Sequence, residues 1–285
     1  MKLRTLTVLV LIPLALYLIV WAPPWLFVAA LLVVVERSVY EYFELSRHAS
    51  LGGFSWVGFA GSGALCLAQL ADLRWPGDFV IMLTVLSVLG ALGVALVSVE
   101  DLRQYLGAAC STVFCVLYVG LTLSFLIPLR LSGSLLRQAS PEIPPQRVLL
   151  FLFAVIWADD ILAYLIGRWL GRTVIFPRIS PKKTLEGSIA GLAGSLLTAW
   201  VLIRWWGSET QGLKTAMLLA GLVAVAGQVG DLAESALKRS AEVKDSGALL
   251  PGHGGLLDRL DSLMFGAPVL WLALAVMGSC PGFRH

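Results

Sequence analysis

About nine apolar runs follow one another through this chain, at approximately 5–22, 24–35, 54–72, 79–99, 105–128, 148–170, 188–206, 214–234 and 263–279, with polar connections between them. Runs of roughly 17 to 25 such residues are long enough to cross a hydrocarbon core of about 30 Å as helices. Composition agrees with that reading. Of 285 residues, 58% are hydrophobic and 14% charged, and the mean hydropathy is +0.84, values outside the soluble range. The expected fold is all-α: a polytopic integral membrane helical bundle with about eight or nine transmembrane helices.

The first two runs are the least regular, because Pro13 and the pair Pro23-Pro24 punctuate them and the second is short. Lys2 and Arg4 precede the first run as in a signal peptide, but no small-residue cleavage site follows, so an uncleaved first span is expected. Cys66, Cys110, Cys115 and Cys280 lie in or beside apolar runs without any CxxC pair and read as small buried hydrophobes. With nine spans and the N-terminus inside, fourteen of the 21 Lys and Arg residues fall on one side of the membrane. The positive-inside bias makes that side cytoplasmic, which puts the polar stretches 171–187 and 235–262 on the same face. Residues 36–50 alternate apolar and charged positions at helical spacing and suit an interfacial helix or an extension of the second span; no chemistry is assigned to them. Residues 132–146, rich in Pro and Ser, are expected to form an outer loop. The chain divides near residue 145, into N-terminal helices without a motif (1–145) and a region carrying polar motifs (146–285).

Three charged clusters stand out against the apolar background. Asp159 and Asp160 lie about eleven residues from either end of their run; a carboxylate at the centre of a span costs about 2.5–3.5 kcal/mol, so such residues face a cavity, a partner charge or an ion. Gly167 and Gly171 in the same run permit close approach of a neighbouring backbone. In RISPKKTLEGS, Lys182 and Lys183 beside Ser180 and Thr184 form a patch of cations and hydroxyls, followed by Glu186 and Gly187. Thr184 is placed to cap the next helix, and basic residues at this depth also attract anionic headgroups nonspecifically. In GQVGDLAESALKRSAEVKD, Asp231, Glu234 and Lys238 share one helix face. Asp258 and Asp261 begin the following span, and carboxylates at helix ends with lysines around them suit Mg²⁺ against a polyphosphate, since magnesium takes one or two carboxylates and keeps phosphate oxygens and waters as its other ligands. Between them, PGHGGLLD turns sharply and exposes backbone N–H groups before a helix N-terminus, a setting that accepts an anion. His253 in that turn is placed to donate to a phosphate, to act as an acid or base, or to close the turn; zinc is disfavoured because no second His or Cys has ligand spacing.

Ser235, Leu237, Lys238-Arg239, Lys244-Asp245, Gly247, Leu250, Pro251, His253-Gly254-Gly255, Leu256, Asp258-Arg259, Leu260 and Asp261 resemble, position for position, the signature of the phosphatidate cytidylyltransferases. ADDILAYLIGRWLGR, SPKKTLEG and GQVGDLAES are similar to that family's other polar segments, so the resemblance spans about 157–262. It implies a membrane enzyme that makes CDP-diacylglycerol and pyrophosphate from CTP and phosphatidic acid. It further implies divalent metal, Mg²⁺ or Mn²⁺, at Asp231 and Asp258, with K⁺ as a second metal. Lys238, Arg239, Lys244, Asp245, His253 and Asp261 are then expected in the catalytic cluster. Asp159, Asp160, Tyr164, Ser180, Lys182, Lys183, Thr184, Glu186, Gly187, Glu234, Ser235, Gly254, Gly255 and Arg259 are expected around the substrates.

The expected partners are CTP, phosphatidic acid and membrane lipids, without nucleic acid and with a homodimer left open. The expected location is a bacterial inner membrane with the active site on the cytoplasmic side. An ion-coupled transporter is the competing class, since it also places carboxylates within spans, but no paired halves are evident and the polar residues concentrate on one face. A CDP-alcohol phosphotransferase would need Asp, two residues, Asp-Gly and then Ala-Arg, which the sequence lacks; a CTP-dependent lipid kinase remains as an analogy of fold alone.

Overall fold

The computed structural model describes residues 2–75, 77–132, 144–206, 210–247 and 254–279. Among these, nine helices carry nearly all of the regular structure: α1 (Lys2–Val20), α2 (Pro24–His48), α3 (Ser55–Asp72), α4 (Phe79–Ser98), α5 (Leu102–Leu131), α6 (Pro145–Leu170), α7 (Leu185–Trp205), α8 (Thr210–Ser240) and α9 (Leu257–Ser279). The helices α4 to α9 are each long and apolar enough to cross a membrane. The protein is an integral membrane protein with the all-α architecture that its apolar runs require.

The helix boundaries have local causes. Pro24 and Pro145 stand in the first turns of α2 and α6, where a missing N–H costs nothing. Asp101 caps α5 by accepting a hydrogen bond from the Arg103 N–H at 3.0 Å. Residues 36–48 continue α2 without a break, so they extend the second apolar run rather than forming a separate helix. Val116–Leu121 forms a π-helical stretch inside α5. Within the polar stretch 171–187, where the sequence suggests a loop, the chain forms a short antiparallel hairpin, β1 (Val174–Phe176) and β2 (Ser180–Thr184), paired Val174 to Thr184 and Phe176 to Ser180. Three and five residues are too few for alternation to stand out beside two lysines and two prolines.

The described helices fall into two compact units, residues 1–131 with 237–260 and residues 132–236 with 261–285. The core of the first is built from Val35 and Val39 of α2, Leu65 and Cys66 of α3, and Cys115, Val119, Leu123 and Ile127 of α5, all fully buried. Cys66 and Cys115 are thus the buried thiols expected, whereas Cys110 is exposed and Cys280 lies outside the described residues. The second unit is organised by the close approach of α6 and α7. A Cβ on Gly187 would lie 2.7 Å from the Ala163 carbonyl oxygen and 3.0 Å from Gly167 Cα, so two glycines face each other where the helices touch.

Candidate active site

In the second unit, β2 delivers its last residue, Thr184, to the start of α7, where its hydroxyl accepts a hydrogen bond from the Gly187 N–H at 3.2 Å. Glu186, in the first turn of α7, reaches back to the connection after α6. Its carboxylate accepts from the Arg172 N–H at 3.1 Å, the Thr173 N–H at 3.2 Å and the Thr173 hydroxyl at 3.0 Å, closing the turn that starts β1. That anchoring fixes the hairpin, and the hairpin aims Lys183. Its ammonium pairs with Asp231 Oδ2 of α8 at 2.7 Å and approaches the Gln228 carbonyl at 3.4 Å. Asp231 Oδ1 accepts from the Ser235 hydroxyl one turn on, at 3.3 Å.

Deeper in the same unit, Asp159 is buried, and Gln228 satisfies it: the Gln228 amide donates to Asp159 Oδ1 and to the Ser188 carbonyl, each at 2.9 Å. Gly191 leaves room for that carboxylate, since a Cβ there would stand 2.8 Å from Asp159 Oδ1. A carboxylate at membrane depth is tolerable because it is hydrogen-bonded on arrival. Asp160 and Lys182 are exposed, as is Tyr164, whose hydroxyl accepts from Arg168 at 3.2 Å; Ser180, on β2, is half-buried. Glu234 is fully buried, and Asp261 accepts from the Ser262 N–H at 2.7 Å.

In the first unit, Asp258 stands at the start of α9 with its side chain only 7% exposed. Lys238 approaches Oδ1 at 2.6 Å. The other oxygen, Oδ2, accepts from the Ser246 N–H at 3.0 Å, the Ser246 hydroxyl at 2.9 Å and the Gly255 N–H at 2.8 Å. Four donors thus converge on one carboxylate, close to its full accepting capacity. Gly254 makes the turn possible with φ of +81°, a conformation that L side chains rarely adopt. Arg239 is exposed and donates to the Val243 carbonyl at 3.0 Å; Lys244, Asp245 and Arg259 are exposed, and His253 lies outside the described residues.

A profile of the cytidylyltransferase family matches residues 2–277, almost the whole chain. The chain belongs to the cytidylyltransferase family. A protein named phosphatidate cytidylyltransferase from Synechocystis sp. is 34% identical over 275 residues, which cover 89% of each chain. One of the same name from Staphylococcus haemolyticus is 32% identical over 282 residues, 97% of this chain and all of that one. A third, from Brucella abortus, is 36% identical over 246 residues, 83% and 80% of the two chains. Family membership therefore extends over the N-terminal helices, where the sequence motifs alone had nothing to offer.

The divalent cation that the family resemblance implies fits the donor chemistry present. Asp231 and Asp258 are hard oxygen ligands, and each already holds one cation, an ammonium that a metal ion can replace. Among the described residues no group of three or more His, Cys, Asp or Glu forms a dedicated cage. Magnesium needs none, because it is usually held by one or two carboxylates together with substrate phosphates.

Sequence reasoning passed over three side chains that the structure places in these clusters: Gln228, Ser246 and Glu41. Gln228 lies one helical turn before Asp231 within a quoted motif, and Ser246 directly follows Lys244-Asp245 at a position that the signature leaves open. Glu41 carried a fainter signal, a charged residue on the α2 face that also bears Ser38 and Leu45, all three buried.

Proposed function

We propose that this protein transfers the cytidylyl group of CTP to phosphatidic acid, giving CDP-diacylglycerol and pyrophosphate. A phosphate oxygen of the lipid attacks the α-phosphorus of CTP, the α–β phosphoanhydride bond breaks, and pyrophosphate leaves with the bond's electron pair. The attacking phosphate monoester has a second pKa of roughly 6 and is largely ionised at neutral pH, so no strong general base is required. The demand is electrostatic, because two polyanions must meet and the leaving group gathers charge.

Lys238 and Lys183 are the cations best placed to serve that demand, each held beside a carboxylate that keeps it in place until an anionic substrate arrives. Asp258 and Asp231 are the proposed ligands of Mg²⁺ or Mn²⁺, which when bound would neutralise phosphate oxygens; K⁺ as a second ion rests on the resemblance alone. Lys182, Arg239, Lys244 and Arg259 are exposed, and phosphates are their proposed partners. The positive-inside bias favours the cytoplasmic face for this chemistry, and the bacterial relatives favour an inner membrane, with the acyl chains of the substrate remaining in lipid.

The observation that carries this reading is the environment of Asp258, in which Lys238 and Gly255 of the signature, together with Ser246 between them, converge on one buried carboxylate. Purified protein in detergent, supplied with CTP, phosphatidic acid and Mg²⁺, should release one pyrophosphate for each CDP-diacylglycerol formed and should stop on chelation. A folded preparation that performs no nucleotide chemistry would overturn the assignment, and release of CDP with transfer of a phosphate to a lipid alcohol would replace it with a kinase.

A further inference from the structure

Glu41 lies on α2, far from every motif in the sequence, yet it is completely buried. Its Oε2 accepts from the Leu257 N–H at 2.8 Å, a bond spanning 216 residues, and stands 3.4 Å from the Ser246 hydroxyl. Its Oε1 pairs with Arg37 at 3.3 Å. Leu257 is the first residue of α9, where backbone N–H groups have no intrahelical partner and a negative charge is favoured by the helix dipole. Burying a carboxylate is costly unless it is paired and bonded; here the partners are Arg37, the Leu257 N–H and, at 3.4 Å, the Ser246 hydroxyl, which also donates to Asp258.

The turn is moulded around this acid. A Cβ on Gly247 would lie 3.0 Å from the Glu41 carboxyl carbon, and one on Gly255 would collide with Glu41 Oε2 and the Ser246 hydroxyl. Ser246 and Gly255 are also the residues whose N–H groups hold Asp258 Oδ2.

We propose that Glu41 is a positioning residue for the signature turn: it caps α9 from the N-terminal helices and, through Ser246 and the 254–257 backbone, sets the orientation in which Asp258 meets substrate and metal. The proposal rests on the cytidylyl-transfer reading for its catalytic consequence, though not for its geometry. Residues that orient a metal-binding carboxylate typically change metal affinity or activity by about 10- to 100-fold when replaced.

The test is hydrogen–deuterium exchange on the full-length protein, comparing wild type with Glu41→Gln and Ser246→Ala, alongside Mn²⁺ titration without nucleotide and steady-state turnover. Glu41→Gln should speed exchange not only at Leu257 but at Ser246 and Gly255, whose amides report on Asp258, by about tenfold or more, while α3 and α5 exchange as before. Mn²⁺ affinity and kcat should fall about 10- to 100-fold, with the KM for CTP changing less. Ser246→Ala, which leaves the Leu257 bond intact, should reproduce a smaller part of the effect. Wild-type exchange at Ser246 and Gly255 in folded Glu41→Gln, or a change confined to Leu257, would reduce Glu41 to a helix cap and overturn the proposal. Should Glu41→Gln fail to fold, unchanged exchange at Gly255 in Ser246→Ala would overturn it equally. If the wild-type protein makes no CDP-diacylglycerol, the reaction assignment fails while the exchange data still decide the role of Glu41.

Discussion

The two lysine-bound aspartates are built differently. Asp258, 7% exposed at its side chain, accepts from four donors, two of them backbone amides; Asp231, 32% exposed, accepts from Lys183 and from Ser235 one turn away. A carboxylate gripped by the backbone on one oxygen keeps a fixed orientation and has only its other oxygen, facing Lys238, to offer. One held by two side chains gives up its partners at little cost and can turn toward an arriving ion. The contrast teaches that equal motif status does not mean equal mechanical status: one carboxylate is fixed by the backbone, the other is held by side chains alone.

The largest test of that contrast is in turnover. Asp258→Asn and Asp231→Asn should each lower kcat by on the order of 100- to 1,000-fold, because both remove charge from the group that must meet cations and phosphates. Parallel measurement of CDP-diacylglycerol formation with far-UV circular dichroism separates chemistry from folding. Near-normal turnover in Asp258→Asn would break the metal assignment outright.

Stability should divide what turnover does not. Asp258→Asn can keep its oxygen toward the three donors on Oδ2 but then turns an NH2 donor toward the Lys238 ammonium and removes the charge that pairs with it. It should cost about 1–3 kcal/mol, whereas the more exposed Asp231→Asn should cost under about 1 kcal/mol. Thermal melts of both variants in one detergent read the difference. Equal losses would mean that Asp231 is held as firmly as Asp258 and that the comparison fails.

How much of this was legible in the sequence depends on the range of the interaction. The helices were readable because a long apolar run in lipid must satisfy its own backbone groups, and a helix does so within the segment. Thr184 as a cap and Gly167 as a point of close approach were likewise readable, one from a three-residue relation and the other from the absence of a side chain. The Asp258 environment was legible only in part: the motif named Lys238 and Gly255, but two of the four donors are backbone N–H groups, which every non-proline residue carries and which leave no mark in composition. Glu41 was invisible for a different reason. Its partners at the start of α9 and at Ser246 lie more than 200 positions away, and with Arg37 alone it is one acid among several in an amphipathic helix. Lys183 read as a phosphate ligand from its neighbours; that it rests on Asp231 depends on the hairpin, which the sequence did not announce.

The hairpin and the α6–α7 contact supply the finer tests, because they hold the Asp231 side of the comparison in place. Gly187→Val inserts atoms where a Cβ alone would already stand 2.7 Å from the Ala163 carbonyl. Backbone cannot yield as a flexible side chain can, so the two helices must separate, at a cost of about 1–3 kcal/mol. The loss should appear as a lower melting temperature and as faster proteolysis between β1 and α7, with Lys183 displaced from Asp231.

Thr184→Ala should do less, and its smaller effect is the more discriminating. It removes one side-chain acceptor from the start of α7, leaving the Gly187 N–H without its partner, and caps of this kind contribute about 1 kcal/mol. The Glu186 carboxylate would still tie the turn to Thr173, so the hairpin should remain formed. Melting temperature should therefore fall slightly while turnover stays within about threefold of wild type, in line with the loss of a single cap. A much larger loss of turnover without a loss of stability would mean that the Thr184 hydroxyl meets substrate directly, and it would move the hairpin from a support that aims Lys183 to a part of the reaction centre itself.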